Sequence, residues 1–441
     1  MASDNKSSKV LKNASWIIVC RIAQSVLSLL VGMLTARYLG PSNYGVINYA
    51  ASIVAFAAPI MQLGLCNILV QEFVEDDKHE GEILGTSLIM SLSSALVCVI
   101  GVTAFAFVAN AGEPETVKVC FLYSLMLFFQ AMELAMYWFQ AKYLSKYTSI
   151  AMFCSYAIVS AYKIFLLITE KSIYWFALSN ALDYMIIAIA MIAMYRIKGG
   201  QNLRFSFDRA KKLFAKGKYY IVSSMMVTIF AQTDKIMLKA MIDETATGYY
   251  SAAITCAGIT AFVFGAIIDS VRPLIFENKK RDTASYEKAV IQLYSVIIYL
   301  SLLQSLAMTI LAGLIIRILY GVQYLASVPA LQVVVWYTTF AYIGSVRNIW
   351  ILAEGKQKYL WIINLSGALV NVLLNYVLIQ TWGMIGAAAA SLLTQIFTNV
   401  IIGYLIVPIQ RNNRLMLSAC NPKVVCGMLL DMKTRFRRKS A

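Results

Sequence analysis

Apolar stretches of about twenty residues alternate with short polar connections along almost the whole chain of 441 residues. A helix of that length crosses the roughly 30 Å hydrocarbon core of a bilayer. The pattern predicts twelve transmembrane helices, six in each half of the chain. The predicted spans are 15–36, 46–66, 83–108, 117–140, 147–168 and 173–195 in the first half, and 217–240, 249–271, 289–313, 328–352, 358–379 and 384–407 in the second.

Polar and small residues fall on one face of each of the first two predicted spans. They recur at steps of three and four, which places them on one side of a helix with 3.6 residues per turn. An apolar helix with one polar face is typical of a helix that separates lipid from a water-accessible space. These residues are Arg21, Gln24, Ser25, Ser28, Gly32 and Thr35 in the first span, and Asn48, Ser52, Ala55, Pro59 and Gln62 in the second.

The second half of the chain repeats the arrangement of the first. Gly248 lies 203 positions after Gly45. The same offset superimposes a predicted turn over 39–45 on 242–248, together with the polar faces of the flanking spans. Repeated halves in one orientation are typical of transporters, so the sequence predicts an all-α integral membrane fold with two six-helix halves as a parallel pseudo-repeat. The predicted parts are a cytoplasmic tail (1–12), an N-terminal half (13–196), a cytoplasmic amphipathic linker (197–216), a C-terminal half (217–410) and a basic cytoplasmic tail (411–441).

Composition and charge place the chain in the membrane-protein class. Hydrophobic residues make up 60% of the chain and charged residues 14%, and the mean hydropathy is +0.69. Soluble domains are about half apolar and about a quarter charged. The net charge of +16 comes from Lys and Arg in alternate connections, although the connection 72–80 is acidic. This positive-inside pattern predicts a multi-pass protein with both termini in the cytoplasm, and it argues against a nucleic-acid partner.

The cysteine and histidine content excludes several kinds of site. The eight cysteines fall mostly inside apolar spans without a CxxC spacing, which predicts core residues rather than disulfides or a metal cluster. His79 is the only histidine, so a His-based zinc site and a His-dependent triad are excluded. A membrane polymerase or acyltransferase would need a catalytic His or a large outer loop, and the sequence has neither. We therefore expect no catalytic residues, no metal site and no enzyme activity.

Ionisable side chains inside the predicted spans are the candidate functional residues. Each costs roughly 3 kcal/mol to insert into a bilayer, so each needs a compensating role. Cations outnumber anions among them, and with the polar faces they predict a net-positive chamber. The predicted cavity residues are Arg21, Gln24, Ser25, Ser28, Gln62, Gln130, Glu133, Tyr137, Lys235, Lys239, Asp269, Arg272 and Arg347. The structural alternatives are neutralising pairs for Asp234 with Lys235 and for Asp269 with Arg272, and extension to the headgroups for Arg21, Lys163 and Arg347.

Three motifs resemble those of one transporter family. Residues 36–45 (ARYLGPSNYG) resemble the first-hairpin signature of Wzx-type polysaccharide flippases, in the multidrug/oligosaccharidyl-lipid/polysaccharide exporter superfamily. Residues 233–238 (TDKIML) are similar to the seventh-helix motif of that family. Residues 371–375 (NVLLN), followed by 383–388 (GMIGAA), are similar to its eleventh-to-twelfth-helix pattern. The resemblance covers about residues 10–410.

The resemblance implies a V-shaped transporter with a central cationic cavity. The implied cargo is an oligosaccharide repeat unit linked to undecaprenyl pyrophosphate. It would move from the cytoplasmic to the outer leaflet of a bacterial cytoplasmic (inner) membrane, for the biosynthesis of O-antigen or capsule. The implied partners are this lipid-linked oligosaccharide, membrane lipids, a polysaccharide polymerase and chain-length machinery. The alternatives in the superfamily are a peptidoglycan-precursor flippase and a multidrug exporter. Drug exporters often carry a carboxylate in the first helix, and Arg21 in this chain disfavours a cation exporter.

A cationic chamber suits such a cargo on physical grounds. A pyrophosphate crosses hydrocarbon only where fixed positive charge replaces its water. The expected cations are Arg21, Lys235, Arg272 and Arg347. Transport by alternating access then corresponds to rocking of the two halves, assisted by the membrane potential. We expect no cofactor, and the coupling ion is left open between a proton and Na⁺, with Glu133 and Asp234 as the candidate positions.

Overall fold

All regular secondary structure in the described part of the chain is helical. The computed structural model describes the backbone of residues 2–422 and, of the side chains, Cys20 and those of residues 23–422. The chain divides into two compact units, Met1–Ala240 and Met241–Ala441.

The first unit consists of long apolar helices and short helical segments between them. The 3₁₀ turns Leu65–Asn67, Asp77–His79 and Glu133–Ala135 connect or interrupt these helices. The helices are α1 (Ala2–Gln62), α2 (Leu69–Glu75), α3 (Glu80–Ala109), α4 (Pro114–Ser124), α5 (Met126–Met132), α6 (Met136–Ala141), α7 (Ser145–Ile168), α8 (Ile173–Ile197) and α9 (Phe207–Met241).

Helix α1 covers two of the predicted spans. Its 61 residues would form a continuous rod about 90 Å long, far more than a bilayer requires. The helix is interrupted at Gly40, whose φ of 72° and ψ of 171° are readily adopted by glycine. Pro41 follows directly, near the start of the next helical segment, where its missing N–H group is tolerated. The turn predicted over 39–45 is therefore a break at a single residue.

Small side chains allow close packing between α1, α3 and α5. Ala50, Ala95, Ala106 and Ala131 are fully buried and belong to one hydrophobic cluster. In a membrane, helices associate largely through van der Waals contact, which small residues at the interface strengthen by bringing backbones together. This cluster supports the wall from which the polar side chains of α1 project.

An acidic loop, residues 72–82, is paired with basic residues at the start of α9. Arg209 donates a hydrogen bond to Asp76 at 2.6 Å. Lys216 forms an ion pair with the buried carboxylate of Glu72. This connection departs from the positive-inside pattern because its acidic residues are the counter-charges of basic residues in α9.

Two close backbone approaches fix the same chain segment. The amide of Arg204 donates to the carbonyl oxygen of Gly81 at 3.1 Å. Where α9 passes the end of α1, a Cβ atom built on Gly217 would overlap the carbonyl oxygen of Leu63, and one built on Gly64 would overlap that of Gly217. Only glycine leaves room for these contacts.

The second unit has the same kind of architecture. Its 3₁₀ turns are Val322–Ser327, Gln357–Tyr359 and Val407–Ile409, and a π-helix covers Phe397–Ile401. The helices are α10 (Glu244–Ala257), α11 (Ala261–Arg281), α12 (Thr283–Leu319), α13 (Val328–Ala353), α14 (Leu360–Ile396), α15 (Ile402–Leu405) and α16 (Gln410–Ala419).

Aromatic side chains form much of the core of the second unit. Phe264 of α11 stacks on Tyr342 of α13 with ring centroids 4.1 Å apart and an interplanar angle of 10°. Tyr286, Tyr294 and Trp350 are fully buried in the same cluster. Tyr294 donates to the side-chain oxygen of a buried asparagine in α16 at 2.9 Å, which satisfies its hydroxyl inside the core.

The predicted all-α integral membrane fold is confirmed, and the helix count differs for a local reason. Within the described residues, nine helices are long and apolar enough to cross a membrane, or ten if the bent pair α10 and α11 is one span. Two of these helices contain non-helical glycines, Gly40 in α1 and Gly383 in α14, and each covers two predicted spans. If the bent pair counts as one span, dividing both long helices at the glycine raises the count from ten to the twelve spans predicted.

Candidate functional site

Helices of the first unit line an open cavity of about 560 Å³. This volume lies within the range of small-molecule sites in proteins. The second segment of α1, the pair α4 and α5, and α9 each supply part of the wall. The lining residues are Ala51, Val54, Ala55, Ala58, Pro59, Gln62, Tyr123, Met126, Gln130, Ser223, Ser224, Val227 and Thr228.

The polar groups of this cavity are uncharged. Two carboxamides, one phenol and three aliphatic hydroxyls stand among apolar side chains, and the lining contains no Lys, Arg, Asp or Glu. Carboxamides and hydroxyls both donate and accept hydrogen bonds, which is the chemistry that sugar hydroxyls need. The same lining offers no counter-charge to a phosphate or to an organic cation.

Gln130 presents an open acceptor. Its side-chain oxygen is buried and has no hydrogen-bond partner among the described residues. A buried polar atom without a partner costs about 1–3 kcal/mol, so a ligand that donates to it would recover that energy. Thr228, in contrast, donates its hydroxyl to the backbone oxygen of Ser224 at 3.0 Å and keeps only its acceptor capacity for a ligand.

A second polar group of α9 bridges this helix to α1. The side-chain oxygen of Gln232 accepts a hydrogen bond from the fully buried Ser52 at 3.0 Å. Lys235 approaches the same oxygen at 3.5 Å, and no carboxylate of the described residues lies within ion-pair distance of its ammonium group. Lys235 is half-buried, and its neighbour Asp234 is buried.

Lys239 forms an ion pair that the sequence does not reveal. Its buried ammonium group contacts both carboxylate oxygens of Glu113, at 2.9 and 2.7 Å. Thr116 donates to the same carboxylate at 2.9 Å. The charge of Lys239 is thereby balanced locally. Glu113 lies in a connection, outside the spans whose charges predict the cavity. Its position next to the start of α4 was the available signal.

The remaining predicted residues of the first unit are placed less centrally. Glu133 and Tyr137 are half-buried, one and two turns beyond Gln130. In the first span Gln24 is half-buried, while Ser25 and Ser28 are exposed. The side chain of Arg21 lies outside the described residues. Of the predicted cavity residues, Gln62 and Gln130 line this cavity. Ser223 lines it as well and is not among the predicted residues.

Asp269 and Arg272 in the second unit neutralise each other at the surface. Their charged groups are 3.4 Å apart one turn along α11, and both side chains are exposed. This arrangement corresponds to the structural-pair alternative.

Arg347 lies inside the second unit and is only 4% exposed. Its guanidinium group donates to the backbone oxygen of Thr398 in the π-helix and to the side chain of Asn348 at 3.0 Å. A π-helical turn leaves backbone carbonyls without their usual partners, and this arginine satisfies one of them. The burial of Arg347 excludes the alternative in which it extends to the headgroups.

The described residues contain no group of three or more His, Cys, Asp and Glu side chains that could hold a metal ion.

The family follows from comparison with known proteins. The sequence profile of the polysaccharide biosynthesis protein family matches residues 10–279. The chain belongs to this family. Among curated proteins, the "Putative O-antigen transporter" of Shigella flexneri is 21% identical over 403 residues, 86% of this chain and 93% of that protein. An uncharacterized membrane protein of Methanocaldococcus jannaschii is 27% identical over 233 residues, but the match spans only 49% of this chain and 46% of that protein.

Solved structures of two membrane transporters share the fold of this chain. The lipid II flippase MurJ in an inward closed conformation matches with a TM-score of 0.70 and 16% identity, covering 94% of this chain and 92% of that one. A multidrug resistance MATE family transporter of the MOP superfamily, in an inward-facing conformation, matches with a TM-score of 0.68 and 12% identity, covering 90% and 96%. These similarities confirm the transporter fold, and together with the family match they confirm the resemblance drawn from the motifs.

Proposed function

We propose that this member of the polysaccharide biosynthesis protein family is a lipid-linked-oligosaccharide flippase. It carries undecaprenyl-pyrophosphate-linked repeat units from the cytoplasmic to the outer leaflet of a bacterial cytoplasmic membrane, for the assembly of surface polysaccharide. Both termini lie in the cytoplasm. The near full-length similarity to a protein named for O-antigen transport supports this class of cargo.

The uncharged lining of the cavity in the first unit is the observation that carries the proposal. Its carboxamides and hydroxyls suit the hydroxyl groups of a sugar, and the apolar positions beside them suit the C–H faces of a sugar ring. A drug exporter for organic cations would need a carboxylate at this place, and the lining has none. The peptidoglycan precursor, which is also a sugar on a lipid diphosphate, is the second candidate cargo.

Lys235 is the proposed counter-charge for the lipid diphosphate. Lys239 is neutralised by Glu113, and Arg272 is paired with Asp269. Lys235 instead contacts an amide oxygen of Gln232, two turns from residues of the same helix that line the cavity. An ammonium group without a carboxylate partner is free to bind an anionic cargo. Coupling to a proton or Na⁺ through Glu133 or Asp234 stays a prediction.

The proposal is tested by deleting the gene in its host and measuring the leaflet in which lipid-linked repeat units accumulate. We expect accumulation on the cytoplasmic side and loss of surface polysaccharide. Lys235→Ala should reproduce this loss while the protein still inserts into the membrane. Lys163→Ala is the matched control, because it removes another intramembrane lysine of the same unit and should leave polysaccharide unchanged. Normal polysaccharide in the deletion strain would contradict the function. Normal polysaccharide in Lys235→Ala alone would remove only this residue from the binding site.

A further inference from the structure

Helix α9 is longer than a bilayer requires. Its 35 residues correspond to about 52 Å, whereas the hydrocarbon core is about 30 Å thick. Because the apolar part of the helix begins near residue 217, the segment 207–218 extends into the headgroup layer. This segment is rich in lysine and phenylalanine.

One face of this segment is fixed to the rest of the first unit. Leu213 and Gly217 are buried. On the same side, Arg209 contacts two carboxylates of the acidic loop at 2.6 and 3.4 Å, and Lys216 pairs with a third. These contacts set the rotation of α9 about its own axis.

The opposite face carries a basic-aromatic stripe, defined as Phe207, Lys211, Phe214 and Lys218. The four residues follow one another at steps of four, three and four, and therefore share one side of the helix. All four are exposed, Phe207 to 76% and Phe214 to 46%. No carboxylate of the described residues lies within ion-pair distance of either lysine. The cations of this segment that form ion pairs therefore face the rest of the first unit, and the two lysines of the stripe have no carboxylate counter-charge among the described residues.

We propose that the basic-aromatic stripe binds the anionic headgroups of phospholipids in the leaflet that surrounds this end of α9. The lysines supply the charge that a phosphate diester requires, and the phenylalanine rings enter the boundary between headgroups and acyl chains. Two phenylalanine rings alternate with two lysines at the depth of the headgroups. This arrangement fits a lipid better than a soluble anion, because a soluble anion gains nothing from contact with the rings. The bound lipids fix the depth of α9 in the membrane. This proposal is independent of the transported cargo.

The test measures lipid retention by the full-length protein. The protein is purified in a neutral detergent and titrated with phosphatidylglycerol or phosphatidylcholine of identical acyl chains, and bound lipid is counted by native mass spectrometry. Each lysine close to an anionic surface changes the affinity about five-fold, so Lys211→Gln with Lys218→Gln should weaken phosphatidylglycerol binding about thirty-fold. The matched control is Lys78→Gln with Lys212→Gln, which removes two exposed lysines of the same unit that lie off the stripe.

The proposal requires that the wild-type protein and the control prefer phosphatidylglycerol, that the stripe variant does not, and that this preference weakens with added salt. Lys211→Glu, a second variant, should abolish the preference by charge reversal. Equal retention of both lipids by the wild-type protein, or equal losses in the stripe and control variants, would overturn the proposal. Binding of undecaprenyl diphosphate but not phosphatidylglycerol at these lysines would also overturn it, since the occupant would then be the carrier lipid.

Discussion

The side-chain oxygen of Gln130 is the most informative single atom of the cavity. Because it is buried without a partner, replacing it by an apolar group of similar size removes a desolvation cost of about 1–3 kcal/mol. We expect Gln130→Leu to leave the thermal unfolding midpoint unchanged or raised. One lost hydrogen bond to the cargo should weaken transport about five-fold. The measurements are thermal unfolding in detergent and surface polysaccharide in a complemented deletion strain. A strongly destabilised Gln130→Leu protein would show that the oxygen has a structural partner.

The Lys239–Glu113 ion pair predicts a loss of stability, in contrast to Gln130. Lys239 is almost fully enclosed, whereas the Glu113 side chain is 46% exposed. Glu113→Gln should lower the free energy of unfolding by about 1–3 kcal/mol, less than for a fully buried pair, because water partly solvates the carboxylate. Adding Lys239→Met should recover much of the loss, since the uncompensated charge is then absent. A cycle in which the two losses simply add would show that the residues do not interact.

For single residues, the sequence predicts which polar side chains lie within the membrane but not which of them contact each other. Gln62 and Gln130 are polar residues inside predicted spans, and both line the cavity. Lys239 belongs to a stripe as well, yet its partner lies 126 positions away in a connection. Ion pairs of this separation depend on how helices pack, and periodicity along one helix carries no such information.

Among the elements, the connection between α8 and α9 depends on the acidic loop. Asp76 accepts hydrogen bonds from His79 at 2.7 Å and from Arg209 at 2.6 Å. These contacts, His79 first, hold the pKa of Asp76 below its ordinary value. A carboxyl group with a lowered pKa in the folded state stabilises at any pH above its unfolded pKa of about 3.9, and this contribution is lost as the pH falls through the lowered value.

We therefore expect hydrogen exchange in residues 201–209 to be constant from about pH 7 to pH 5, after correction for the intrinsic rate, and to increase below about pH 4. The measurement is hydrogen–deuterium exchange of the full-length protein in detergent. Asp76→Asn should raise exchange at neutral pH and flatten the acid-induced step. A step of undiminished size in Asp76→Asn would assign the pH dependence to other carboxylates.

The hydrophobic pattern does not predict the helix breaks at single glycines or the π-helix. The apolar pattern located the membrane helices, but it predicted turns where single glycines, Gly40 and Gly383, interrupt otherwise helical chain. The π-helix Phe397–Ile401 has no signature in hydrophobic periodicity, because its carbonyl partners come from elsewhere. The charge of Arg347 predicts a position in the cavity. Its hydrogen bond to the backbone oxygen of Thr398 explains why the side chain is buried in the second unit instead.

For the whole molecule, α9 is the last helix of the first unit, and its contacts hold it to that unit. It is held at its start by Arg209 and Lys216, in the middle by Gln232 and near its end by Lys239. We expect a thiol cross-link between Ser52→Cys and Gln232→Cys, in a background without the eight native cysteines, to leave at least half of transport intact. The measurement is flipping in proteoliposomes before and after reduction. Inhibition that reduction reverses would show that α9 must part from α1 during transport.

The crossing of Gly64 and Gly217 has one more consequence. Alanine at position 217 would push the Leu63 carbonyl aside, and alanine at position 64 would push the Gly217 carbonyl aside. Gln62, which lines the cavity, directly precedes Leu63 in the chain. A single methyl group at this crossing would therefore displace a carboxamide that lines the cavity. The two glycines thus set how closely the end of α1 approaches α9 beside the cavity.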